Sequence, residues 1–120
     1  MKYLAFAILA LVAAHADTPA VDAARQLYDS GMQQTAEGKL ADARTTLQDL
    51  IGRYPKNPLA IDAKGAIDAT LLFEEGQARA KAGRYETARL AYETLIAVYP
   101  ENPLAARAKS AVDCLSLIHI

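Results

Sequence analysis

The residues able to do chemistry are few, and where they sit matters more than how many there are. The chain has two histidines, His15 and His119, and one cysteine, Cys114. His15 lies in an apolar leader and His119 in an anomalous tail, so residues 17–114 contain no histidine. Histidine is the commonest general base, and a hydroxyl or thiol nucleophile needs such a base beside it. Neither a Ser-His nor a Cys-His pair can therefore be assembled in that segment. A single cysteine excludes an internal disulfide and a cysteine zinc site. The sequence carries no Gly-rich phosphate loop, zinc spacing or EF-hand loop. Glu74 and Glu75 are adjacent, and helix neighbours point to different sides, which predicts two solvated carboxylates rather than an acid–base pair. Cys114 reads as a small residue of an apolar helix face, with a reactive thiol as the alternative. The expected activity is binding without catalysis, and no cofactor or metal is implied. Tyr28, Met32 and Phe73 either anchor a ligand or fill a core between helices.

Composition narrows the frame that must hold these residues. A chain of 120 residues makes one domain, or a piece of a longer repeat array. Thirteen Lys and Arg against fourteen Asp and Glu give a charge of -1, without the basic surplus that a nucleic-acid partner demands. The hydrophobic fraction of 52% is rich in Ala, Trp is absent and aromatics are 7%, a composition that favours close-packed helices.

The ends read as separate from the domain. Met1 to Ala16 begins with Lys2, runs through apolar Tyr3 to Ala14 and closes on Ala14-His15-Ala16, the pattern of a cleaved secretory signal peptide over 1–16. Its apolar run of about twelve residues is shorter than the roughly 20 needed to span hydrocarbon, and no Cys lies near the cut to accept a lipid. A periplasmic or secreted protein without a membrane span is expected. At the other end, Leu115-Ser116-Leu117-Ile118-His119-Ile120 is a translation of CTG TCT CTT ATA CAC ATC. That string resembles the transposase mosaic end of sequencing libraries. Residues 115–120 are accordingly expected to be a non-native tail on a frame cut near Cys114.

Between the ends runs a gapless repeat. Gly38 and Gly83 lie 45 positions apart, and residues 24–68 match 69–113 at 18 of 45 positions, which identifies a tandem repeat. Apolar residues recur at three and four: Leu40, Ala43, Leu47, Leu50, Ile51 and Tyr54, then Tyr85, Ala88, Tyr92, Leu95, Ile96 and Tyr99. This is the stripe of an amphipathic helix. Pro55 and Pro100 stop it. Asn57 and Asn102 are placed as N-caps of the next helix, with Pro58 and Pro103 at its first position. That helix continues to a left-handed Gly83. Gly31 and Gly76, each seven residues before the turn glycine, predict close approach of a partner helix. Asp49–Arg53 and Glu75–Arg79 are spaced to pair on solvated faces. An opening helix is expected near 19–37, started by Thr18-Pro19, and an unfinished one from 103, whose Leu104, Ala108, Ala111 and Val112 would face water. Each hairpin needs a neighbour stacked on it.

These residues resemble the tetratricopeptide repeat: Gly76, Gly83, Tyr85, Ala88, Tyr92 and Pro100 in the second copy, and Gly31, Gly38, Ala43 and Pro55 in the first, with Leu40 and Leu47 in place of aromatics. The resemblance implies an all-α, right-handed superhelix of antiparallel helical hairpins over 17–114. The excess of the 45-residue period over the usual 34 is placed in elongated first helices. Ser30, Gln34, Glu75 and Arg79 stand where the family usually buries Leu and Tyr. In the family the first helices line a concave surface, which implies peptide-binding positions at Arg25, Tyr28, Met32, Thr70, Phe73, Gln77 and Lys81, with cations fixing carboxylates. The Tyr-Pro-x-Asn-Pro-x-Ala joint on an exported chain is similar to envelope proteins of the BamD and YbgF kind. This implies a non-catalytic scaffold whose partners are other envelope proteins or peptides, in outer-membrane protein assembly or in a link to the Tol-Pal system. The alternative is the leading module of a longer envelope enzyme.

Overall fold

The computed structural model describes residues 21–119. The expected signal peptide and the Thr18-Pro19 helix start lie outside them. Five helices account for the described chain: α1 over 21–36, α2 Leu40–Arg53, α3 Pro58–Lys81, α4 Tyr85–Val98 and α5 Pro103–His119. The fold is all-α, a solenoid of antiparallel hairpins, and α3, at 24 residues against 14 for α2 and α4, is the elongated first helix.

Two kinds of joint alternate, and the repeat copies both. At the glycine turns, Gly38 and Gly83 adopt φ of 83° and 80°, the left-handed region that only a residue without Cβ enters cheaply. The Lys39 amide donates to the Gln34 carbonyl (2.9 Å) and the Gly38 amide to Thr35 (3.0 Å). Arg84 to Arg79 (2.8 Å) and Gly83 to Ala80 (3.0 Å) repeat the pattern. This is the paired bonding of a Schellman cap, which satisfies the last helix carbonyls. At the proline joints, the Asn57 side chain accepts from the Leu59 amide and the Asn102 side chain from the Leu104 amide, both at 2.9 Å. Each asparagine thus satisfies an orphan donor at a helix start.

Hairpin packing is tight where glycine permits it. A Cβ on Gly76 would lie 2.6 Å from the Tyr92 ring, and one on Gly31 2.6 Å from Leu47. Leu47 and Tyr92 are repeat equivalents, so one steric device serves both hairpins with different occupants. The polar residues at family core positions stay at the rim of each hairpin. Gln34 accepts from the Thr46 hydroxyl (2.7 Å). Its equivalent Arg79 reaches the Thr87 carbonyl (3.4 Å) and pairs with Glu75 (2.5 Å).

Two apolar clusters form, and α3 belongs to both. Ala60, Ala63 and Ala66 join Leu47 and Leu50 under Tyr28 and Met32. Farther along, Ala69 and Phe73 join Leu40, Tyr92, Leu95 and Leu104. Small residues at every third position, from Ala60 to Ala69, let α3 accept neighbours on more than one side. At 1.5 Å per residue its 24 residues extend about 36 Å, long enough to bridge the two clusters.

Three expectations are corrected. Leu104 and Ala108 do not face water: both are fully buried, and Ala111 and Val112 pack against the same cluster, because α5 lies against α4. The Arg107 guanidinium also donates to the Ala36 carbonyl at 2.7 Å, tying α5 to the end of α1. Cys114 is exposed rather than part of an apolar face. Glu74 is not merely solvated, for it pairs with Arg44 of α2 at 2.6 Å. Helix α5 continues unbroken past Cys114, and Leu115 is buried.

Candidate functional site

The seven residues implicated by the sequence do not form one surface. Thr70 is fully buried. Its hydroxyl donates to the Ile67 carbonyl (2.6 Å) and accepts from Arg44 (3.3 Å), a group on the adjacent hairpin. Phe73 is 8% exposed and meets Tyr92 edge to face at 5.6 Å, the geometry aromatic quadrupoles prefer. Both residues belong to the core. Gln77 is exposed beside the Gly38 turn, near Lys39 and Asp42. Lys81 is exposed in the last turn of α3, where a cation complements the helix dipole. Arg25 is exposed on α1, while Tyr28 and Met32 are half-buried.

Tyr28 and Met32 do line a groove. Its floor is the first half of α3 at Ile61, Gly65 and Ala66, and its far wall is the proline joint at Val98, Tyr99 and Asn102, enclosing about 510 Å³. A second depression of about 450 Å³ between α3 and α4, walled by Leu71, Leu72 and Thr94, meets the first at Asp68, Val98 and Tyr99. Gly65 seats Tyr99, since a Cβ there would approach the ring to 3.1 Å. The Tyr99 hydroxyl then donates to Asp68 at 3.1 Å, which fixes the wall between the two depressions.

The groove is apolar inside and acidic at its edge. Ile61, Val98 and Leu71 are 74%, 57% and 49% exposed, while Asp62, Asp68, Glu75 and Glu101 line the same depressions. Burial raises the Tyr28 phenol above its ordinary value, and the Asp62 and Asp29 charges add to this against the opposing pull of Arg25. Tyr99 is raised by burial and then by its bond to Asp68 and that carboxylate's charge. The groove therefore presents neutral tyrosines and anionic carboxylates, which can hold an apolar side chain and attract a cation.

Sequence reasoning missed most of this groove. The spacing shows Tyr99 only as the end of an apolar stripe before a helix stop, and it gives Ile61 and Leu71 no role. A usable signal existed in Ile61, which repeats as Ala106 rather than as another large apolar residue.

Among the described residues no helix is long and apolar enough to cross a membrane, and no group of His, Cys, Asp or Glu could hold a metal ion. No curated protein and no solved structure matches the chain. The tetratricopeptide repeat profile matches residues 27–57 and 71–102. Each match starts inside a first helix, crosses the glycine turn and closes at a proline joint. The start of α3, residues 58–70, lies outside both and contains the extra length of the repeat. Matched over more than half its length and folded as stacked helical hairpins, the chain belongs to the tetratricopeptide repeat family.

Proposed function

We propose that this chain, which its repeats make a protein–protein interaction scaffold, works outside the cytoplasm, as an exported component of the cell envelope that holds a segment of another protein during outer-membrane protein assembly and catalyses no reaction. The observation that carries the binding reading is the groove. Ile61, Leu71 and Val98 remain exposed beside a well-filled core, and clustered aliphatic exposure marks an interaction site more often than chance. Export is supported by the charged start, apolar run and Ala14-His15-Ala16 close of the leader. The absence of histidine between 17 and 114 removes the commonest general base.

Expression of the full chain with a C-terminal tag in a Gram-negative host tests the reading. The expected product sits in the periplasmic fraction, starts at Asp17, and forms adducts with an envelope protein when a photocrosslinker replaces Val98. Recovery from the cytoplasm with Met1 intact would refute export. Adducts confined to the chain itself would refute the scaffold role.

A further inference from the structure

We infer that the groove over the start of α3 takes a cationic partner segment, in which Lys or Arg flank one or two large apolar side chains. The inference rests on the scaffold reading and adds the partner's charge. The resemblance to tetratricopeptide repeats had implied the opposite sign, with Arg25 and Lys81 fixing carboxylates. Lys81 stands at the far end of α3, and among the described residues Arg25 is the one cation whose charge acts on the Tyr28 phenol.

The rim is negative because its carboxylates are not neutralised. Asp62, Asp68 and Glu101 make no ion pair among the described residues, whereas Glu75 is occupied by Arg79. Lys64, one turn before Asp68, forms no ion pair with it. Inside the rim, Ile61 and Val98 offer aliphatic contact, and Gly65 and Ala66 leave room above the floor. An apolar side chain entering there is removed from water, and its cationic neighbours meet the carboxylates at the edge. Charge complementarity of this kind raises the association rate and selects against partners of the wrong sign. The floor lies in residues 58–70, outside the repeat profile, whereas the walls at Tyr28, Met32, Val98 and Tyr99 lie within it, so the elongated helix adds a floor to walls that the repeats build.

Three fluorescein-labelled peptides of about twelve residues test the inference by anisotropy with the full chain: Leu alternating with Lys, the same with Glu for Lys, and Ser alternating with Lys. The Leu-Lys peptide is expected to bind tightest. Its affinity should fall at about 0.5 M salt, where the screening length shrinks to roughly 4 Å. Asp62→Asn and Glu101→Gln should each weaken it about 3-fold at low salt, and Val98→Asp about 10-fold or more through loss of apolar contact. Leu90→Ser, which alters an exposed leucine outside the groove, should leave binding unchanged. Equal or tighter binding of the Leu-Glu peptide would overturn the charge assignment while leaving the scaffold reading intact. So would Asn and Gln variants that bind as the parent does. A dimer in sedimentation that Val98→Asp dissolves would make a second copy the occupant and overturn the inference. Failure to bind any peptide, together with no crosslink at Val98 to another protein, would overturn both readings.

Discussion

Replacing Gly76 by Ala sets two effects against each other, and their sizes decide the sign. In a helix interior Ala is favoured over Gly by about 1 kcal/mol. The new methyl, however, would stand 2.6, 2.7 and 2.9 Å from three carbons of the Tyr92 ring. That ring is 3% exposed and braced edge-on by Phe73, so it cannot swing aside into solvent. Overpacking of this kind costs about 1–3 kcal/mol. Gly52 is the internal control: it lies in α2 and a Cβ there meets nothing within 4 Å. Gly52 is next to the last residue of α2, so its propensity gain is at most that of Gly76 and the difference between the variants is a lower bound on the overpacking cost. Urea titrations followed by helical circular dichroism should show Gly52→Ala at or above the parent midpoint and Gly76→Ala below it. At about 2 kcal/mol the two variants would differ by roughly 8–16 °C in Tm for a domain of this size. A Gly76→Ala midpoint equal to or above that of Gly52→Ala, with unchanged slope, would show that α3 and α4 do not approach this closely.

Asn102→Ala removes the bond to the Leu104 amide and should cost about 1 kcal/mol in the same assay, as should Asn57→Ala. Arg44→Ala breaks the pair with Glu74 but leaves the Thr70 hydroxyl satisfied by Ile67. We expect a loss of about 1 kcal/mol that shrinks in high salt. Tyr28, Tyr92 and Tyr99 are all raised above the ordinary 10.0, so above that pH the unfolded chain releases protons that the folded chain retains. Stability attributable to them is complete below about pH 10 and is lost as pH rises through the folded values. Ultraviolet titration should show these phenols ionising later than those of the urea-unfolded chain, and coincident titrations would refute the environments described.

The joints were legible because their causes are local. Proline without a donor, asparagine two residues before an orphan amide and glycine at positive φ each act within a few residues, and the structure places all of them where the spacing predicts. The close approach at Gly31 and Gly76 was also readable, since the interval to the turn glycine repeats. The rotation of α3 was not. With Ala, Gly or Thr on several faces, its periodicity does not single out one buried side, so Thr70 and Phe73 could be assigned to a surface although they lie in the core. Arg44–Glu74, separated by 30 positions, and the sign of the groove's rim depend on which helices become neighbours. No interval within one helix encodes that.

The bond from Arg107 to the Ala36 carbonyl has a bearing on how the molecule comes apart. In an ideal solenoid each unit touches only the next, and unravelling can begin at either end and spread by steps. Here the fifth helix clasps the end of the first across 71 positions, and Leu40 shares a cluster with Leu104 and Ala108. Contacts beyond nearest neighbours couple the two ends described here, so fraying of α5 withdraws a bond from the end of α1 and packing partners from Leu40.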